Sequence, residues 1–219
     1  MNTAWLFPGQ ASQKVGMGHD LYQNTELGKS YFDLANSIMD CDIQSIIFEG
    51  PRKTLKQTQY TQPAIYIVSV IIGKLLLKKG LRPAALAGHS LGEYSALAIG
   101  EAFDFATGLN LVKLRAENMA QAGRIQSGSM AAIIGLDEYR VSDLCQDYAG
   151  EGIVVAANFN SPGQVVISGT PEAVTTIMAT AKSNGARMAT QLNVSGCLLY
   201  TSDAADDTPC VDLGGRRII

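Results

Sequence analysis

The sequence predicts an α/β protein built in two parts, and three observations carry that prediction. Hydrophobic residues fill 47% of the 219 positions and charged ones only 17%, a core-rich composition that excludes general disorder. A run of small apolar residues, Ala84 to Ala87, leads into Gly88-His89-Ser90-Leu91-Gly92 and then a helix-forming stretch, the strand, turn and helix of an α/β unit. After residue 128 the pattern becomes strand, helix, strand, strand, helix, strand.

Taken in order, Thr3 to Phe7 reads as a short strand stopped by Pro8-Gly9. A glycine-bearing loop follows, to Gly18. Leu27, Tyr31, Leu34 and Ile38 fall at helical spacing behind Thr25, a natural N-cap. Ala64, Ile65, Val68, Ile71, Ile72 and Leu75 keep the same period, and Gly80 ends that helix. Ala84 to Ala87 suits a strand covered on both faces. Glu93 to Ile99 continues as helix, and Asp104 caps another running to about Ala122.

The polar stretch Gly123 to Gly128 marks a boundary. Ser129 to Gly135 is then a strand, and Val141, Leu144, Cys145 and Tyr148 mark a helix. Ile153 to Phe159 is a strand, the turn is Asn160-Ser161-Pro162-Gly163, and Gln164 to Ser168 returns. Thr170-Pro171 opens a helix through Val174, Ile177, Met178 and Ala181, and Ala186 to Val194 is the last strand. The order βαββαβ predicts a compact insert of ferredoxin type. The expected division is a large α/β domain over residues 1–126, the small subdomain over 127–192, and a tail over 193–219 that fits neither pattern.

The net charge is −3 and the pI about 5.4, without the basic footprint that nucleic-acid or membrane-surface binding needs. Cys41, Cys145, Cys197 and Cys210 lie far apart with no CxxC, the usage of reduced thiols in a cytoplasmic protein. The N-terminus carries no secretory signal pattern. The longest apolar stretch, Ala64 to Leu77, is interrupted by Ser69, Gly73 and Lys74. It is shorter than the roughly 18–20 residues of a spanning helix and reads as a core helix.

The chemistry concentrates at Gly88-His89-Ser90-Leu91-Gly92. G-x-S-x-G between a strand and a helix is a sharp turn that lifts the serine hydroxyl out of the backbone. Ser90 is thus the candidate nucleophile, and the N–H of Leu91 a candidate oxyanion donor. His89, beside it on the turn, reads as a shaping residue of the cleft rather than the general base, and His19 as a surface residue. Gln10, in the glycine-flanked loop after the first strand, is a candidate second oxyanion donor. A plain βα turn competes there, and spacing alone favours it.

Three of the four helical neighbours of Arg115 (Leu111, Val112 and Met119, but not Asn118) are apolar, which points its guanidinium at the buried stripe. Such a group seeks a planar anion. Spacing leaves a structural ion pair and a substrate-carboxylate clamp equally open. Lys113, facing Glu117, reads as a solvated residue.

Five segments, in order, resemble the malonyl-CoA:acyl-carrier-protein transacylase family. They are Phe7-Pro8-Gly9-Gln10-Ala11-Ser12-Gln13, Thr61-Gln62-Pro63-Ala64, Gly88-His89-Ser90-Leu91-Gly92-Glu93-Tyr94, Arg115 with Glu117-Asn118-Met119, and Asn158-Phe159-Asn160-Ser161-Pro162-Gly163-Gln164. The resemblance runs from about residue 3 to Gly196. It implies an α/β-hydrolase-like large domain with an inserted ferredoxin-like subdomain. It implies an ester on Ser90, an oxyanion hole from Gln10 and Leu91, a malonyl carboxylate on Arg115, and Asn160 lining the cleft. The implied substrates are malonyl-CoA and the phosphopantetheine thiol of acyl carrier protein, in fatty-acid or polyketide synthesis, with no metal or redox cofactor. Family members carry a histidine after a Val-Ser turn. Here Asn193-Val194-Ser195-Gly196 is in register, but Leu199 stands at the histidine position and no histidine follows His89. Impaired transfer is therefore expected, and because family members continue with further helices and strands that complete the large domain, uncovered apolar faces with poor solubility or lowered stability are expected as well. A serine esterase or thioesterase and a non-catalytic acyl-thioester-binding fragment are the alternatives.

Overall fold

The structure, a computed structural model, describes residues 3–125 and 128–192. The tail with Cys197, Leu199 and Cys210, and the end of the predicted last strand at Asn193 and Val194, lie outside the described residues. The chain divides into two compact units between Asn118 and Met119.

The first unit opens with β1 (Ala4–Phe7), α1 (His19–Asn24), α2 (Glu26–Met39), α3 (Ile43–Phe48) and α4 (Arg52–Leu55). It continues with α5 (Thr58–Lys78), β2 (Ala85–Gly88), α6 (Gly92–Ile99) and α7 (Phe105–Ile125), inside which the division falls. β1 and β2 pair in parallel, Ala4 opposite Ala85 and Phe7 opposite Gly88. The short helices α1, α3 and α4 are additions to the sequence reading.

Thr25 caps α2 as its hydroxyl accepts from the Gly28 N–H at 2.9 Å. The buried face of α2 is Gly28, Phe32, Ala35 and Met39, one residue on from the predicted stripe. Leu34 is exposed, and Leu27, Tyr31 and Ile38 are half-buried, because α1 and α3 pack beside α2 and turn its apolar edge.

α5 is the central helix. At 21 residues it is long and apolar enough to cross a membrane by length and composition, which corrects the shorter estimate, but 56% of its most apolar window is buried within the fold. The Tyr66 hydroxyl on α5 donates to the Phe105 carbonyl at 3.1 Å, and the two rings stack at 5.7 Å. Burial first, and the negative charge of Asp104 second, raise the Tyr66 pKa. Asp104 caps α7 by accepting from the Thr107 N–H at 2.7 Å. Lys113 departs from its predicted solvated role. Its ammonium donates to the Ile38 carbonyl at 2.9 Å and to Asp40 Oδ2 at 2.8 Å, closing the end of α2.

β2 is not covered on both faces: Ala85 and Ala87 are exposed, as is Leu6 of β1 at 78%. Beside these strands opens a cavity of ≈ 480 Å³ lined by Trp5, Leu6, Phe7, Ile65, Val68 and Ile72 among others.

The second unit contains β3 (Ser129–Ile134), α8 (Glu138–Gln146), β4 (Val154–Ser161), β5 (Gln164–Gly169), α9 (Pro171–Ser183) and β6 (Met188–Gln191). Its four strands are antiparallel in the order β4-β5-β3-β6. α8 and α9 bury Val141, Leu144, Val174 and Ile177 against Ala131, Ile133, Val165 and Ile167 of the sheet. The β4–β5 turn is tighter than predicted, with Asn160 and Ser161 inside β4 and Gly163 at φ 72° in the turn. Two register shifts in β4 fall between Ala156 and Asn158 and between Phe159 and Ser161.

Candidate active site

The turn after β2 is built by close backbone approach. A Cβ on Gly88 would lie 2.0 Å from the Gly92 carbonyl carbon, and one on Gly92 would lie 2.2 Å from the Phe7 carbonyl oxygen. Both positions thus require glycine if β2 is to turn directly into α6 beside β1. The His89 N–H donates to Phe7 O at 2.9 Å, and the Gly92, Glu93 and Tyr94 N–H groups donate to the carbonyls of His89, Ser90 and Leu91 at 3.0, 3.2 and 3.1 Å. Ser90 between them has φ 55°, a left-handed backbone costing a serine about 1–2 kcal/mol. That conformation leaves Ser90 exposed while Leu91 is buried.

Arg115 reaches this hydroxyl from α7. Its Nη2 donates to Ser90 Oγ at 3.0 Å, its Nη1 donates to Gln62 Oε1, and its Cζ stands 6.0 Å from the centre of the Tyr94 ring. Both of these hydrogen-bond partners are uncharged. Arg115 is half-buried at the edge of the α7 stripe, between buried Val112 and Ala116 on one side and exposed Leu111 and Leu114 on the other. Leu111 is therefore not the buried neighbour that the spacing implied.

The loop after β1 holds Gln10. Its side chain donates to Thr58 Oγ1 at 3.5 Å, at the start of α5, and Ala11 next to it has φ 86°. Among the described residues the backbone N–H groups of Gln10 and Leu91 donate to no other group. His89 is exposed, and a Cβ on Gly9 would stand 2.6 Å from its Nδ1, so the ring lies over that glycine. His19 is exposed, its ring centre 4.8 Å from that of Phe48 with the two planes tilted by 38°. Asn160 is exposed on β4 of the second unit, at the second register shift, where an extra residue redirects side chains.

The structure thus brings Ser90 and Arg115 together. It also adds Gln62, to which sequence reasoning gave no role. Its signal in the sequence was its place in Thr61-Gln62-Pro63-Ala64, one of the segments that carry the family resemblance, and α5 buries it to 1% exposure.

An exposed serine on a glycine-built turn, with a guanidinium on its hydroxyl, defines a class of protein: the chain belongs to the acyl transferase domain family, whose model matches residues 4–197. Within it, the chain is 46% identical over 196 residues to the malonyl CoA-acyl carrier protein transacylase of Synechocystis sp. (strain ATCC 27184 / PCC 6803 / Kazusa), covering 90% of this chain and 63% of that one. It is 41% identical over 194 residues to that of Bacillus subtilis (strain 168), covering 88% and 61%. The solved transacylase of Coxiella burnetii superposes with a TM-score of 0.86 at 38% identity, over 91% of this chain and 65% of that one. A type II PKS acyl-carrier protein in complex with its malonyl-transacylase gives 0.84 at 40% identity, over 91% and 66%. The chain spans less than two-thirds of the length of these relatives.

Proposed function

We propose that this chain carries the acyl-transfer chemistry of a malonyl-CoA:acyl-carrier-protein transacylase. Ser90 Oγ attacks the thioester carbonyl of malonyl-CoA, the C–S bond breaks, and the hydroxyl proton ends on the departing sulfur. The phosphopantetheine thiol of acyl carrier protein then attacks the Ser90 ester and returns a proton to Oγ. The covalent ester divides one transfer into two easier steps. The N–H groups of Gln10 and Leu91 stabilise the oxyanion, and Arg115 pairs with the free carboxylate of the malonyl group.

The observation that carries this reading is the 3.0 Å contact between Arg115 Nη2 and Ser90 Oγ. In a malonyl ester the carboxylate carbon lies three bonds from that oxygen, within reach of a guanidinium so placed. The acyl-carrier partner is supported by the names of the relatives and by the complex among the solved structures. The steps call for no metal or redox group. Leu199 at the family's histidine position slows both, by about 10²–10⁴-fold for a lost proton-transfer group.

In the same reading the first unit is part of an α/β-hydrolase-like domain extending to residue 126, and residues 127–192 form a ferredoxin-like subdomain, supported by its βαββαβ order and its β4-β5-β3-β6 sheet. The thiols of Cys41 and Cys145 support a cytoplasmic location.

Incubation with radiolabelled malonyl-CoA tests the proposal. Ester-linked label is expected on Ser90 and absent from Ser90→Ala. Label retained in Ser90→Ala overturns the nucleophile assignment.

A further inference from the structure

We infer that Ser12 and Gln13 are positioning residues that aim the Gln10 N–H at the oxyanion, by gripping the peptides on either side of Gln10. The inference rests on the acyl-transfer reading and names what sets its loop donor in place before substrate arrives.

The grip is built from short local contacts. The Ser12 hydroxyl donates to the Gly9 carbonyl at 2.8 Å, and the Ser12 N–H donates to the same oxygen at 3.4 Å. That carbonyl belongs to the peptide whose N–H is that of Gln10. The peptide is trans, so its C=O and N–H point in opposite directions. Holding the oxygen on the Ser12 side therefore turns the Gln10 N–H to the other side. The two bonds also polarise the amide, which makes its N–H a better donor to a negative oxygen. On the far side of Gln10, the Ala11 N–H donates to Gln13 Oε1 at 2.8 Å, so the next peptide is held as well.

The loop needs such a grip. Ala11 has φ 86°, a backbone unfavourable to a residue with a Cβ, and its return to negative φ would turn over the Gln10–Ala11 peptide. Ala11 and Ser12 are exposed, so packing does little to prevent this. The Gln10 side chain adds only a long contact, 3.5 Å to Thr58 Oγ1. Gly9, by contrast, is fixed from the other side. A Cβ there would lie 2.7 Å from the His89 carbonyl oxygen, so the Gly9–Gln10 peptide begins against the residue that precedes Ser90. One anchored end and two side-chain grips set a single direction for the N–H between them.

Three variants of the 219-residue chain test this. Ser12→Ala removes the hydroxyl, Ser12→Thr keeps it, and Gln13→Met removes the amide acceptor at similar volume. Rates of Ser90 ester formation are measured across malonyl-CoA concentrations, after circular dichroism has shown each variant folded. The oxyanion exists only on the way to the ester, so its donor acts on the maximal rate and not on the half-saturating concentration. Ser12→Ala is expected to lower the maximal rate about tenfold at an unchanged half-saturating concentration, less than the roughly 10²–10³-fold cost of deleting an oxyanion donor outright. Ser12→Thr should restore the rate, and Gln13→Met should lower it in the same way. A purely structural role would lower the thermal midpoint and leave the maximal rate of the folded chain unchanged.

Carbonyl carbon-13 and amide nitrogen-15 signals of the Gly9–Gln10 peptide give a reading independent of turnover. Both are expected to move in Ser12→Ala and to return in Ser12→Thr. Signals that stay in place in Ser12→Ala overturn the inference, and so does an unchanged maximal rate in Ser12→Ala or in Gln13→Met. If Ser12→Ala does not fold, Gln13→Met carries the test: a lowered maximal rate at unchanged half-saturation supports the inference, and an unchanged rate overturns it. A chain that takes no label on Ser90 defeats the acyl-transfer reading instead, and the spectra still decide whether Ser12 orients the Gln10 N–H.

Discussion

At the scale of single residues, the turn around Ser90 tolerates almost nothing larger than what it has. Gly92→Ala places a methyl group 2.2 Å from the Phe7 carbonyl oxygen, where backbone must move to admit it. We expect a loss of about 1–3 kcal/mol, read as a lowered thermal midpoint, together with loss of Ser90 labelling. Arg115→Ala is expected to lower the preference for malonyl over acetyl thioesters by roughly one to two orders of magnitude, as removal of a hydrogen-bonded charge does. An unchanged preference removes the clamp. Cys145 makes a different kind of prediction. Burial pushes its thiol up to about 11, so thiolate is scarce at neutral pH. Iodoacetamide should reach it only after denaturant opens the second unit, as peptide mapping would show.

The elements depend on their caps. Thr25→Ala removes the hydroxyl that accepts from the Gly28 N–H and should cost about 1 kcal/mol, measurable by urea titration. At the head of α7, the N–H of Thr107 holds the Asp104 carboxyl below its ordinary range. Because the folded state binds this proton less readily than the unfolded chain, the cap contributes in full at neutral pH. Its contribution declines as pH falls below the usual aspartate value and is lost once the lowered folded value is passed. Asp104→Asn keeps a capping oxygen without the titration, so the acid limb of its stability profile should flatten.

These capped, periodic helices were legible in the sequence, as was the βαββαβ order. The six residues each of α1 and α3 and the four of α4 were not, because such lengths span less than two helical turns, too few for a 3.6-residue period to recur. The same limit explains the site. The Ser90 turn is local and announced itself through two glycines. The meeting of Arg115 with Ser90 and Gln62 spans separations of 25 and 53 residues, which helix packing alone creates. Lys113 was misread for that reason too, since Asp40 lies 73 residues away.

At the scale of the whole molecule, the apolar surface near β1 is the salient property. Leu6 is 78% exposed and Ile72 44%, beside a cavity of ≈ 480 Å³. Exposed apolar area of this kind recruits dyes and neighbouring molecules. The native chain should enhance anilinonaphthalene sulfonate fluorescence and self-associate with rising concentration, and Leu6→Lys should weaken both. Sedimentation that stays monomeric at high concentration would contradict this.

Ser90, with φ 55°, links reactivity to endurance. A residue without a side chain would relax into that backbone, recovering about 1–2 kcal/mol of steric cost against a smaller entropic loss. Ser90→Gly should therefore melt a few degrees higher, about 2–4 °C per kcal/mol gained, while being chemically inert. Selecting variants for heat tolerance alone would favour discarding the proposed nucleophile.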